Sequence, residues 1–135
     1  MPARKPTTKT EPIRVLIADD HLLFTEVLEA VLSGDPRIEV AGCARDGGEA
    51  VALAEKLKPD LVLMDVSMPG LDGIEATREI RAAGGDTAVL MLSGSDSRTD
   101  VDSALGAGAS GYVTKDRMAT ELVPAIVEVA HGRLP

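Results

Sequence analysis

The chain has 135 residues, a net charge of −8, one Phe, one Tyr and no Trp. All 22 acidic residues follow residue 10, whereas Arg4, Lys5 and Lys9 precede it, so the remainder is more acidic than the total suggests. Such a surface repels nucleic-acid phosphates, and the shortage of aromatic residues argues against a base-stacking platform. The length suits one domain with a single core of aliphatic side chains.

The cysteine content and the apolar runs bear on the compartment. Cys43 has no second cysteine to pair with, and its apolar neighbours predict a buried structural thiol. No apolar run approaches the roughly 18 residues of a membrane span, and the start of the chain lacks the apolar region of a signal peptide. We therefore expect a cytoplasmic protein without membrane association.

Short apolar runs alternate with amphipathic stretches along the chain. Residues 1–11 are polar and predict a flexible tail, and the domain is expected to start at Pro12. Short apolar runs predict strands at Ile13–Ala18, Arg37–Ala44, Asp60–Met64, Thr87–Leu92 and Ser110–Val113, and some of them, such as residues 15–18 and 61–64, are continuously apolar. Apolar residues at helical spacing predict helices at Leu22–Leu32, Gly48–Leu57, Ile74–Ala83, Arg98–Gly106 and Ala119–Ala130.

This alternation predicts an α/β fold. Strands that are apolar on both faces are typical of a parallel sheet covered by helices on each side, so we expect a doubly wound five-stranded parallel sheet. Pro124 falls inside the last predicted helix and removes a backbone donor there. We therefore expect that helix either to start late, near Thr120, or to kink.

Polar residues follow four of the predicted strands. In parallel α/β sheets ligands bind at the carboxyl ends of the strands, where this chain places a set of chemically reactive groups: Asp19, Asp20, Asp65, Ser93 and Lys115. Neighbouring carboxylates require a cation, and an all-oxygen site suits Mg²⁺. Asp65 would then be a nucleophile toward phosphorus, with Ser93 and Lys115 holding phosphoryl oxygens. Alternatively, each Asp or Ser could simply cap the helix that follows it.

Taken together, these strand ends resemble the receiver domains of two-component response regulators. The resemblance covers about residues 12–132, and its most specific part is the segment Met64-Asp65-Val66-Ser67-Met68-Pro69-Gly70-Leu71-Asp72-Gly73. It implies a flavodoxin-like, CheY-like (βα)5 fold with strand order 2-1-3-4-5. Residues 133–135 would then be the end of the domain or the start of a linker.

The resemblance implies a role for each matching residue. Asp65 would be the phosphoacceptor, Asp20 and Asp65 direct Mg²⁺ ligands, Asp19 a ligand through water, and Ser67 a ligand through its carbonyl. Lys115 would pair with a phosphoryl oxygen. Ser93 and Tyr112 would form a switch pair in which the hydroxyl moves toward the phosphoryl group and the aromatic ring turns inward.

Further details resemble the NarL/FixJ-like branch of the family: Asp19-Asp20-His21, Gly111-Tyr112 with Lys115-Asp116, and Ala130-His131-Gly132. The branch implies a sensor histidine kinase as partner and transcriptional output through a DNA-binding domain outside this chain. It leaves open a homodimer through the first and fifth helices or through the fourth helix, fifth strand and fifth helix. The domain itself would be a signalling switch that catalyses only its own phosphorylation and slow dephosphorylation.

Several other functions fit this sequence less well. A haloacid dehalogenase-type phosphatase needs a second Asp two residues after its nucleophile, where this chain has Ser67. A flavodoxin-like electron carrier usually needs aromatic residues, and a receiver that is never phosphorylated is the plainest rival. The glycine-rich run Gly106–Gly111 follows a predicted helix and precedes a strand, so it predicts a turn and not a dinucleotide site.

Overall fold

The computed structural model describes residues 11–68, 70–94 and 98–131. Within them, five strands alternate with five helices. The order is β1 (Ile13–Ala18), α1 (Leu22–Ser33), β2 (Ile38–Ala44), α2 (Gly47–Leu57), β3 (Leu61–Asp65), α3 (Gly73–Ala82), β4 (Ala88–Ser93), α4 (Arg98–Gly106), β5 (Gly111–Thr114) and α5 (Met118–Ala130). A short 3-10 turn, Lys115–Arg117, joins β5 to α5.

The predicted strands and helices are confirmed, each end lying within one residue of its predicted position. The late start of the last helix is wrong, because α5 already begins at Met118 and includes Pro124 in its interior. Pro124 has no amide hydrogen, so the Thr120 carbonyl lacks its usual partner within the helix. Both residues are exposed, and water can therefore donate to that carbonyl. The kink stays a prediction.

All five strands are parallel and follow the order β2-β1-β3-β4-β5, as predicted. The register places Asp65 opposite Leu92, and Ser93 opposite Thr114. The carboxyl ends of β1, β3, β4 and β5 therefore lie side by side along one edge of the sheet. This edge carries all the predicted site residues.

Helices cover both faces of the sheet. On one face α2, α3 and α4 pack their small and apolar side chains onto the strands: Ala50, Ala54, Ala76, Ile80 and Ala104. On the other face α1 and α5 do the same with Leu28, Leu32, Leu122 and Ile126. Successive residues of one strand enter opposite clusters, since Leu16 belongs to the first and Ile17 to the second. Double-sided burial is what the continuous apolar runs predicted.

Two smaller predictions also concern this architecture. The glycine-rich run connects α4 to β5, and Gly108 in it has a φ of +108°, a conformation that favours glycine. The turn interpretation of this run is confirmed. Cys43 lies on the edge strand β2 and is only half-buried, so the thiol is less buried than predicted. The pKa of Cys43 is raised to about 11, chiefly by its partial burial and secondly by the nearby Glu29 carboxylate.

The predicted tail and the predicted end of the domain lie mostly outside the described residues, namely residues 1–10 and 132–135, and so does Pro69 of the site segment. Among the helices of the described residues, none combines the length and apolar character needed to cross a bilayer.

Candidate functional site

The end of β1 supplies the first two carboxylates. Asp19 is 2% exposed, and its amide donates to the Ala44 carbonyl of β2 at 3.0 Å, which continues the sheet ladder by one residue. Its Oδ1 accepts a hydrogen bond from the His21 amide at 2.8 Å. Asp20, the next residue, is exposed. The strand end thus fixes one buried and one accessible carboxylate.

Asp65 ends β3 and is 3% exposed. The loop after it is tied to the sheet, because Val66 donates to the Leu92 carbonyl at 3.1 Å and accepts from the Gly73 amide at 3.0 Å. Gly73 lies so close that a Cβ there would overlap the Asp65 carbonyl. Glycine at this position therefore allows α3 to begin directly against the end of β3.

The helix-capping alternative fails for these carboxylates. Asp72, and not Asp65, is the N-cap of α3, where its side chain accepts from the Glu75 amide at 2.9 Å. The N-cap of α1 is His21, which makes no side-chain capping hydrogen bond. Neither Asp20 nor Asp65 caps the helix after its strand. For Ser93 the alternative stays untested, because residues 95–97 lie outside the described part.

The three predicted carboxylates come together. Ligand atoms of Asp19, Asp20, His21 and Asp65 all lie within 4.8 Å of one another. Asp19 Oδ2 and Asp65 Oδ2 are buried and have no hydrogen-bond partner among the described residues. Orphaned anionic oxygens are costly in a protein interior, and a hard divalent cation with oxygen ligands would satisfy them. The residues present therefore fit Mg²⁺.

Lys115 brings the balancing positive charge from the end of β5. Its Nζ lies 3.4 Å from Asp65 Oδ1 and 3.9 Å from Asp19 Oδ2. The predicted convergence of strand ends thus holds for the lysine as well. A single ammonium group between two buried carboxylates leaves net negative charge at the site, which favours a further cation.

The pKa of Asp65 is raised above its ordinary value, chiefly by burial and secondly by the negative charge of Asp19. Lys115 and the Ser67 amide, which donates to Asp65 Oδ1 at 3.4 Å, act in the opposite direction. Without a metal ion the site therefore resists full ionisation of its central carboxyl group. This is the electrostatic signature expected of carboxylates arranged for a cation.

Ser93 and Tyr112 lie on adjacent strands. Ser93 is buried at the end of β4 and faces Thr114 of β5 in the register. Tyr112, two residues before Thr114, lies on the same face of the sheet and is half-buried against the cluster under α2, α3 and α4. Their switch role, and metal binding by the Ser67 carbonyl, stay predictions.

Sequence reasoning missed two neighbours of the site. His21 Nδ1 lies 3.2 Å from both Asp19 Oδ1 and Asp20 Oδ1, although its side chain is mostly exposed. Its adjacency to Asp20 was the available signal. The ring of Phe24, the single Phe of the chain, lies 4.5 Å from Lys115 Nζ. No local pattern could have found that contact, because the two residues are distant in sequence.

Comparison with known families gives one match over most of the chain. The model of the response regulator receiver domain matches residues 15–127. Among curated relatives, the transcriptional regulatory protein DegU of Brevibacillus brevis is 42% identical over 120 residues, covering 89% of this chain and 51% of that protein. A protein-glutamate methylesterase/protein-glutamine glutaminase of Nocardioides is 41% identical over 125 residues. The aligned region covers 91% of this chain and 34% of that protein.

Solved structures agree with this match. The receiver domain of a putative response regulator NarL from Mycobacterium tuberculosis superposes with a TM-score of 0.87 at 38% identity, covering 90% of this chain and 98% of that one. The response regulator domain of CheB from Thermotoga maritima gives a TM-score of 0.85 at 35% identity, covering 93% and 100%. The chain spans about half, or less, of the curated relatives named above.

Proposed function

This chain belongs to the response regulator receiver domain family, and we propose that it accepts a phosphoryl group on Asp65 with the help of Mg²⁺. The phosphatase and flavin-carrier alternatives lose their basis with this membership. The observation that carries the residue assignment is the buried Asp65 carboxylate, grouped with Asp19 and Asp20 and contacted by Lys115.

Asp20 and Asp65 would hold the ion directly, Asp19 would hold it through water, and the Ser67 carbonyl would complete the protein ligands. The orphaned oxygens of Asp19 and Asp65 support this set. When bound, the ion supplies positive charge to the carboxylates and to the oxygens of the transferring group. It also relieves the burial and like-charge effects that raise the pKa of Asp65.

In the proposed transfer, an oxygen of the Asp65 carboxylate forms a bond to phosphorus. The bond between phosphorus and a histidine nitrogen of the kinase breaks, and its electron pair stays on that nitrogen. Lys115, already 3.4 Å from Asp65, is placed to pair with a phosphoryl oxygen. Charge stabilisation and positioning by these groups are the main contributions that phosphoryl transfer requires of a protein.

Ser93 and Tyr112 would couple phosphorylation of Asp65 to a conformational change elsewhere in the domain. Ser93 would move toward the phosphoryl group and Tyr112 would turn inward, so that phosphorylation biases a two-state element on the β4–β5 side of the sheet. We propose that the chain acts in the cytoplasm, receives its phosphoryl group from a sensor histidine kinase and controls transcription through a DNA-binding domain outside this chain. DegU-like relatives support that output, whereas the methylesterase relative shows that a similar receiver also occurs in an enzyme.

The decisive experiment is labelling with a small phosphodonor, such as acetyl phosphate, in the presence of Mg²⁺. Intact-protein mass spectrometry should show the addition of one phosphoryl group to the wild-type protein and none to Asp65→Asn. Addition of EDTA should prevent the label, because the acidic site then lacks its cation.

Asp72→Asn is the matched control, since Asn also caps helices well and Asp72 lies on the same loop without joining the acidic cluster. It should be labelled like the wild type. Label that persists on Asp65→Asn would refute the assignment of the phosphoacceptor. A wild-type protein that never takes the label, yet is folded and binds Mg²⁺, would favour the non-phosphorylated receiver instead.

A further inference from the structure

Lys115 has an aromatic neighbour that the proposed function does not use. The ammonium group lies 4.5 Å from the centre of the Phe24 ring, while it contacts Asp65 Oδ1 at 3.4 Å and Asp19 Oδ2 at 3.9 Å. The ring and the two carboxylates therefore surround the same ammonium group. A cation above the face of an aromatic ring is attracted by the ring quadrupole at this distance.

Contacts of the first turn of α1 hold the Phe24 ring in place. Phe24 lies in the first turn of α1, and that turn is tied to the acidic site because the His21 amide donates to Asp19 Oδ1 at 2.8 Å. Thr25 in the same turn donates its hydroxyl to the His21 carbonyl at 3.1 Å. Phe24 itself is half-buried and packs against the cluster beneath α1 and α5. The ring thus presents a fixed surface to the lysine.

The ring and the carboxylates differ in what happens when a metal ion binds. Asp19 and Asp65 are shared between the lysine and the ion, so their attraction for the ammonium group falls once the ion neutralises them. The ring is neutral and offers no oxygen ligand, and Mg²⁺ strongly prefers oxygen. Its attraction for the lysine is consequently retained in the metal-loaded state.

We propose that Phe24 is a positioning residue that keeps the Lys115 ammonium over the acidic site while Asp19 and Asp65 are engaged by the divalent cation. This inference rests on the proposed function, in which Lys115 meets the incoming phosphoryl group. Phe24 acts only through the lysine and touches no reacting atom.

The first test is kinetic. Phe24→Leu, which keeps an apolar side chain of similar size, should slow labelling by acetyl phosphate about two- to fivefold at saturating Mg²⁺ and donor. The Mg²⁺ concentration giving half-maximal rate should not change, because the carboxylates are intact. Phe24→Tyr should restore the rate, since the half-buried site lets its hydroxyl reach water. A leucine variant as fast as the wild type would overturn the proposal.

The second test removes the lysine. In a Lys115→Ala background, Phe24→Leu should cause no further slowing, because the ring then has no cation to position. Equal slowing in both backgrounds would show that the ring acts through packing alone and would overturn the proposal. If the wild-type protein takes no label at all, the proposed function fails. The inference about Phe24 is then still testable, because the third test does not require phosphorylation.

The third test uses the wild-type protein alone. In NMR spectra of lysine-labelled protein, the ε-methylene protons of Lys115 should be shifted upfield by the Phe24 ring current, and Phe24→Leu should identify the signal by abolishing the shift. Saturating Mg²⁺ should leave the upfield shift in place. Its disappearance on addition of Mg²⁺ would mean that the lysine leaves the ring together with the carboxylates, which contradicts the proposal.

Discussion

An aspartate lies at each end of β3, and the two differ in how their carboxylate oxygens are hydrogen-bonded. Asp60, just before the strand, is 8% exposed, and its Oδ2 accepts a hydrogen bond from the Arg14 amide at 2.8 Å. Its own backbone joins both neighbouring strands, donating to the Arg14 carbonyl at 2.9 Å and accepting from the Ala88 amide at 3.1 Å. The Asp60 carboxylate thus extends the sheet ladder at the amino end.

Asp65, at the carboxyl end of the strand, is buried to a similar degree but has one oxygen without a hydrogen-bond partner among the described residues. It also faces the like charge of Asp19, and its pKa is raised. A buried carboxylate costs less when its oxygens accept hydrogen bonds than when one of them lacks a partner, and unsatisfied buried groups are typical of functional sites. One strand therefore carries a hydrogen-bonded carboxylate at its amino end and an incompletely satisfied one at its carboxyl end.

Among the variants that test this difference between Asp60 and Asp65, Gly73→Ala is expected to change the free energy of unfolding most. A Cβ at position 73 would overlap the Asp65 carbonyl, so the backbone that holds Asp65 must shift. We expect a loss of about 3 kcal/mol in the free energy of unfolding, at the upper end of the usual cost of overpacking, because the overlap is with backbone atoms. Urea denaturation would measure the stability, and labelling by acetyl phosphate would show how far Asp65 has moved.

Gly94→Ala is the control for Gly73→Ala. Gly94 also lies at the carboxyl edge, after Ser93, but a Cβ there would meet nothing within 4 Å among the described residues, and its φ is not positive. Its stability should stay equal or rise by up to about 1 kcal/mol, because alanine restricts the unfolded chain. Similar losses in both variants would mean that the site edge is generally intolerant, and that the contact between Gly73 and Asp65 has no special role.

Most of the fold could be read from the sequence. Continuous apolar runs such as residues 61–64 require burial on both faces, and in a chain of alternating strands and helices this leaves a parallel sheet. The interior position of Pro124 could not be read in this way. A proline inside a helix costs more when the freed carbonyl is buried than when water can reach it, and the exposure of Thr120 depends on how α5 packs in three dimensions.

The site was predictable to the extent that strand ends determine it. Asp65 ends a strand and Asp19 and Lys115 each follow one, and parallel pairing alone brings such positions together. The stabilising role of Asp60 and the contact of Phe24 with Lys115 were not predictable. Both depend on which backbone or side-chain atoms meet across more than 40 residues of sequence, and no local spacing encodes that.

The next effect in size concerns Asp60. Asp60→Ala removes the acceptor of the Arg14 amide in a buried setting, so we expect the free energy of unfolding to fall by about 2 kcal/mol. Asp60→Asn should lose clearly less, since its carbonyl oxygen can accept the same hydrogen bond. Urea denaturation of both variants decides the matter. Equal losses for Ala and Asn would show that the charge of Asp60 matters more than this hydrogen bond, which would weaken the comparison.

The smallest effect has the opposite sign. In the presence of EDTA, Asp65→Asn should raise the free energy of unfolding by on the order of 1 kcal/mol, because it removes a buried charge that faces Asp19. The same Asp-to-Asn change is thus expected to destabilise the domain at position 60 and to stabilise it at position 65. Saturating Mg²⁺ should favour the wild type instead, since the ion binds only the folded state.

The pH dependence follows from the raised pKa of Asp65. Well below about pH 4, the ordinary range for Asp, the carboxyl group is protonated in both the folded and the unfolded chain, and its charge costs nothing. As the pH rises through that range, the unfolded chain ionises more readily than the folded one, so the wild type loses stability relative to Asp65→Asn until the pH passes the raised folded value. The advantage of the variant in EDTA should therefore grow between pH 4 and pH 7. An advantage that shrinks over this range would mean that the folded state favours the ionised carboxylate, and that Lys115 outweighs burial and Asp19.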